Sequence, residues 1–94
     1  MELSERWLET FENEGFASVY EWSDKPGTFY EPHTHKGKVS LFVTDGSCTF
    51  NFSGETKEVK AGERFDVPVG AEHSAVVGES GWIVIVGEEI EGDS

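Results

Sequence analysis

His33, His35 and His73 are the only histidines of this chain and its best candidates for chemistry at neutral pH. Two of them stand at i and i+2 in Tyr30-Glu31-Pro32-His33-Thr34-His35. In an extended segment that spacing turns both imidazoles to one face, about 7 Å apart along the strand. Two neutral imidazoles on the inner face of a barrel are half of a metal site, although an HxH pair taken alone is weak evidence. His73 follows Val67-Pro68-Val69-Gly70-Ala71-Glu72, which reads as a strand end and a Pro–Gly turn, and it opens the next strand. Three imidazoles brought together suit Zn, Fe, Ni, Cu or Mn in a facial arrangement, with the remaining positions left for water or substrate. Without a carboxylate ligand the ion keeps its full positive charge. It then favours an anionic or chelating oxygen ligand and acts as a stronger Lewis acid. The alternative is three histidines satisfied by carbonyls or water, with no metal.

Other side chains compete weakly. Glu31 shares the parity of His33, which allows an inward acceptor or a fourth ligand, but a solvated carboxylate near the barrel mouth is the simpler reading. Glu72 sits in the turn and is expected to be exposed. Cys48 is the only cysteine. It reads as a small buried hydrophobe unless it faces a cavity. Tyr20, Trp22, Phe29, Phe50, Phe52, Phe65 and Trp82 fit strand packing, and some of them are candidates to line a pocket.

The elements that must position these residues follow from periodicity. Leu3, Trp7, Leu8 and Phe11 recur on one face of a 3.6-residue repeat, with Ser4 as candidate N-cap and Gly15 as stop. After Gly15 the period changes to short runs rich in Val, Phe, Tyr, Trp and Thr. Strands are expected near Ala17–Trp22, Thr28–His35, Val39–Thr44, Cys48–Phe52, Glu55–Lys60, Arg64–Val67, Ser74–Val77 and Trp82–Gly87. Turns at Asp24-Lys25-Pro26-Gly27, Thr44-Asp45-Gly46, Ser53-Gly54 and Ala61-Gly62 separate them. A turn roughly every 8 to 12 residues argues for an all-β sandwich or barrel. The organisation is therefore a helix over residues 1–15, a barrel over 16–88 and an acidic, frayed tail over 89–94.

The 94 residues carry a formal net charge of −12 with 36% hydrophobic and 13% aromatic content, enough to fill one small core. That charge repels phosphate backbones and anionic lipid, which argues against nucleic-acid and membrane-surface partners. One cysteine makes neither an intrachain disulfide nor a Cys-rich zinc site. The start lacks a signal-like apolar run, and no stretch is long enough to span a bilayer. A cytoplasmic single domain is the expectation.

The histidines also sit in two longer patterns, Gly27-x5-His33-x-His35-x3-Val39-x6-Gly46 and Gly62-x5-Pro68-x-Gly70-x2-His73-x3-Val77. From roughly Gly27 to Val86 the chain closely resembles the cupin superfamily, small single-domain members in particular, with every motif spacing kept. Two positions depart: Val39 stands where a glutamate ligand is usual, and Val77 where asparagine is usual. The resemblance implies a small antiparallel double-stranded β-helix, a jelly-roll barrel, with the helix packed outside. It also implies a divalent metal ion on His33, His35 and His73. By parity Val39 should be an apolar wall beside them. A metal-dependent enzyme of oxygenase or isomerase type acting on a small molecule is one functional expectation. A non-catalytic small-molecule or sugar-binding module is the other. Related cupins commonly pair through a sheet edge, so a homodimer is expected.

Overall fold

In the computed structural model, which describes residues 2–93, the β-prone runs pair into an antiparallel barrel behind one helix. The order is α1 (Leu3–Asn13), β1 (Ser18–Asp24), β2 (Phe29–His33), β3 (Val39–Phe52), β4 (Glu55–Lys60), β5 (Arg64–Val67) and β6 (His73–Glu88). Two expected breaks do not end strands. Val39–Thr44 and Cys48–Phe52 are halves of β3, and Ser74–Val77 and Trp82–Gly87 are halves of β6. The two long strands pair antiparallel, with register shifts between Val43 and Asp45 and between Gly46 and Cys48. Such irregularities bend a strand pair, so each long strand can serve two layers. One layer runs β1–β6–β3–β5 and the other β2–β6–β3–β4. The fold is thus the all-β jelly-roll barrel with a short N-terminal helix. At the bend Gly46 and Gly81 have φ of 74° and 72°. A Cβ on Gly46 would collide with the Gly81 carbonyl, so close backbone approach as well as conformation requires glycine there.

Alternation along the strands divides the core. Val39, Leu41 and Val43 of β3 meet Trp82, Val84 and Val86 of β6 inside the barrel. The opposite parity, Phe42 and Ile85, packs outside under the helix. There Phe11 is fully buried, and Trp7 stacks on Phe42 with ring centroids 4.1 Å apart. Arg64 of β5 ties the end of α1 down, donating to both carboxylate oxygens of Glu14 at 2.7 and 2.8 Å. The helix start differs from expectation. Glu2 is the N-cap, without a side-chain cap bond, and Ser4 lies inside the helix. Leu3 remains 45% exposed because only the Trp7–Phe11 part of the stripe reaches the sheet.

The acidic end also differs, since its described part folds back instead of fraying. Glu89 N–H donates to the Lys38 carbonyl at 2.9 Å, and Lys38 N–H donates to Glu89 Oε1 at 3.1 Å. The Asp93 carboxylate accepts the N–H groups of Lys36 and Gly37 at 3.2 and 3.0 Å. Loop amides that no strand partner satisfies need acceptors, and the tail supplies them. Met1 and Ser94, the outer ends of the predicted helical and tail segments, lie outside the described residues.

Candidate metal centre

β2 ends at His33 and β6 begins at His73, and these residues are cross-strand partners. The expected strand through His35 stops two residues short, so His35 stands in the loop between β2 and β3. The loop still returns its imidazole to the others. Ring centroids are 4.4 Å apart for His33 and His73, and 4.9 Å for His35 with each of them. One ligand nitrogen from each ring lies within 4.8 Å of the other two.

Backbone carbonyls set the tautomers. The Nδ1 atoms of His33 and His73 lie 2.6 and 3.1 Å from the carbonyls of Glu31 and Ala71, each two residues back. His35 Nδ1 lies 3.1 Å from the carbonyl of Asp93, far away in sequence. A carbonyl only accepts, so each Nδ1 carries the proton and each neutral ring keeps its lone pair on Nε2. His35 and His73 are buried and His33 is half-buried. Burial holds the His73 pKa below the usual histidine range, and His33 and His35 add to the shift against the Ala71 carbonyl. A metal ion bound at about 2.0–2.1 Å needs ligand nitrogens no more than about twice that apart. The three nitrogens converge nearly that far, with second-sphere carbonyls of the kind that orient metal-binding histidines. The donor set fits a divalent ion.

These rings line a cavity of about 300 Å³, at the small end for ligand sites. Val39 is one of its walls, as parity predicts, with Leu41, Val67, Val84 and Val86. Tyr20, Trp22, Tyr30, Phe50 and Trp82 supply the aromatic part. Asp24 takes up much of the polarity of this wall. It accepts Trp82 Nε1–H at 2.8 Å, Trp22 Nε1–H at 3.1 Å and the Tyr30 hydroxyl. Burial, and then the hydrogen bond to Asp24, push the Tyr30 phenol up to about 12.

Other candidates fall away from the cluster. Glu31 and Glu72 are exposed, and only the Glu31 carbonyl touches a histidine. Cys48 is fully buried in the core. Burial pushes its thiol up to about 12, which leaves almost no thiolate at neutral pH. Phe29 and Trp22 are 60% and 51% exposed, so they are not core residues in this chain.

Two residues near the site escape motif reading. Asp93 carries the carbonyl that fixes His35 and the carboxylate that holds the 34–38 loop. Nothing local marks it, because its partners are remote in sequence. Glu88 is 2% exposed, and its Oε2 has no hydrogen-bond partner among the described residues. It does leave a signal: Trp82, Val84, Val86 and Glu88 share one parity, so the acid falls in the core-facing phase of the strand.

Comparisons with known proteins agree with this geometry. A family model described as "Cupin domain" matches residues 20–86. An RmlC-like cupin from Shewanella frigidimarina superposes with TM-score 0.67 at 26% identity, over 80% of this chain and 68% of that one. The polyketide cyclase RemF from Streptomyces resistomycificus gives 0.64 at 26% identity, over 77% of this chain and 54% of its own. KdgF from Halomonas sp. gives 0.66 at 22% identity, over 78% and 69% of the two chains, a likeness of fold alone. No curated protein matches the sequence.

Proposed function

The chain belongs to the cupin domain family, and from that premise we propose that it is a metal-dependent enzyme of oxygenase or isomerase type. Its substrate is a small molecule, and its ligands for one divalent ion are His33, His35 and His73. The observation that carries this reading is the convergence of one ligand nitrogen from each of the three rings within 4.8 Å of one another. Histidines satisfied only by carbonyls, far apart in sequence as Asp93 is from His35, have no need to gather all three rings around one cavity. When bound, the ion supplies Lewis-acid activation of an oxygen donor. The residues do the rest: Nδ1–H bonds aim the rings, and the apolar walls exclude bulk water. RemF, a polyketide cyclase at 26% identity, supports an enzyme on this scaffold. A sugar-binding module suits the cavity less well. A sugar needs several hydrogen-bond partners, whereas Tyr30, Trp22 and Trp82 already donate to Asp24.

The test is elemental analysis of protein purified without a histidine tag or chelator, beside His73→Ala. The parent should carry about one divalent ion per chain. His73→Ala should stay folded and lose metal affinity by more than about 100-fold, since even second-sphere partners are worth 10- to 100-fold. A His73→Ala protein that holds metal as the parent does would overturn the assignment.

A further inference from the structure

The inner face of the barrel carries one acid whose burial its neighbours do not explain. Glu88 is the Cα partner of Val39, in the same unbroken register that pairs Leu41 with Val86. Directly paired residues on antiparallel strands present their side chains to one face, with Cβ atoms about 5 Å apart. Val39, Leu41 and Val86 all line the histidine cavity. Glu88 therefore faces inward beside Val39, at the end of β6 that adjoins the start of β3. A carboxyl oxygen removed from water without a partner is unfavourable and rare in native cores. Asp24, the acid on the inner face of β1, has its oxygens engaged by Tyr30, Trp22 and Trp82. Glu88 Oε2 has no partner among the described residues. Its oxygens are not among the clustered ligand atoms, and it stands behind the Val39 and Val86 walls rather than in the cavity lining itself.

We propose that Glu88 is the acidic partner of the histidine site. Its carboxylate is the countercharge for a divalent ion held by three uncharged imidazoles, acting from beside the Val39 wall. Charges attract more strongly where walls such as Val39, Val67 and Val86 exclude water, so one carboxylate there has a large effect. The inference rests on the metal-binding reading above. It assigns the acidic role to β6, whereas β3 presents only Val39 at the adjoining position.

A residue kept for the site and one kept for the fold respond differently to substitution. The experiment measures Zn(II) affinity by competition titration and the unfolding midpoint of the metal-free protein. It compares the parent, Glu88→Gln, Glu88→Leu and the double variant Val39→Glu/Glu88→Leu. Glu88→Gln, nearly isosteric, should bind Zn(II) about 10- to 100-fold more weakly with the fold kept. Glu88→Leu should weaken Zn(II) binding similarly while raising the metal-free midpoint, because it removes the unpartnered oxygen. The double variant restores a carboxylate one strand away and should recover affinity. If the parent binds Zn(II), His73→Ala does not, and Glu88→Gln binds like the parent, the role of Glu88 is overturned while the metal site stands. A metal-free midpoint that falls in Glu88→Leu, with Glu88→Gln unchanged in affinity, identifies a structural residue and also overturns it. A parent that fails to bind Zn(II) overturns the metal-binding reading itself, and the inference with it.

Discussion

His73 connects the protonation of the site to the stability of the barrel. Burial lowers its folded pKa from the usual 6.5, so as pH falls the unfolded chain takes up the proton first. Stability rises with pH wherever the unfolded state binds more protons. The contribution of His73 is therefore complete above about pH 6.5 and is lost as pH falls through the lowered folded value. Metal binding falls over the same window, because a protonated imidazole has no lone pair to give. Unfolding midpoints of the metal-free protein, measured from pH 7.5 to 5, should drop more steeply for the parent than for His73→Gln. Parallel profiles for the two proteins would show that His73 is not the group responsible. At this scale the gathering of the three histidines was legible from spacing and the motif resemblance, and so was the place of Val39 as a wall. The pairing of Glu88 with Val39 and the contacts of Asp93 were not, because each depends on which distant strand or loop lies alongside.

The elements hold the site through the 34–38 loop, which carries His35 between two strands. Pro32 is tolerated in β2 because, among the described residues, that strand pairs only with β6 and needs no donor on its other side. The loop depends on the folded-back tail, where the amides of Gly37 and Lys36 hold the Asp93 carboxyl below the usual carboxylate range. Asp93→Ala should free both amides and loosen His35, weakening metal binding about 10-fold, the lower end expected for second-sphere partners. Amide exchange at Gly37 should accelerate in the same variant. Unchanged exchange and unchanged affinity would show that the tail does not position the site. The eight expected strands correspond to the eight strand segments of the two layers. The breaks expected after Thr44 and after Val77 are bends within β3 and β6, at Gly46 and Gly81, since glycine allows a sharp bend as readily as a turn.

The whole molecule is small enough that association would add usefully to its buried area. The outer face at β2 offers a place for it. Phe29 is 60% exposed and its cross-strand partner Val76 is 38% exposed, and among the described residues the outer edge of β2 has no strand partner. Exposed edges of this kind invite pairing with another chain. The expectation is a homodimer through this face, and Phe29→Glu should shift it toward monomer. Sedimentation equilibrium checks it: a concentration-independent monomer mass for the parent rules the dimer out. The formal charge of −12 sets a limit, because it raises the repulsion between two copies at low salt.

From the sequence alone came the alternating strands, the turn spacing and the three histidines, because each is recorded in local pattern. Period-two alternation assigns side chains to faces before any pairing is known, so Val39, Leu41 and Val43 could be placed inward as a set. Tertiary structure decided the rest. It joined β3 and β6 into strands that bend, returned the acidic end onto the 34–38 loop, and used the Asp93 carbonyl to fix His35. It also set Glu88 opposite Val39. These are contacts between residues far apart in the chain, and they depend on strand register. Register is settled by the cooperative burial of whole faces, since a slip of one residue would turn every side chain of a strand to the other side.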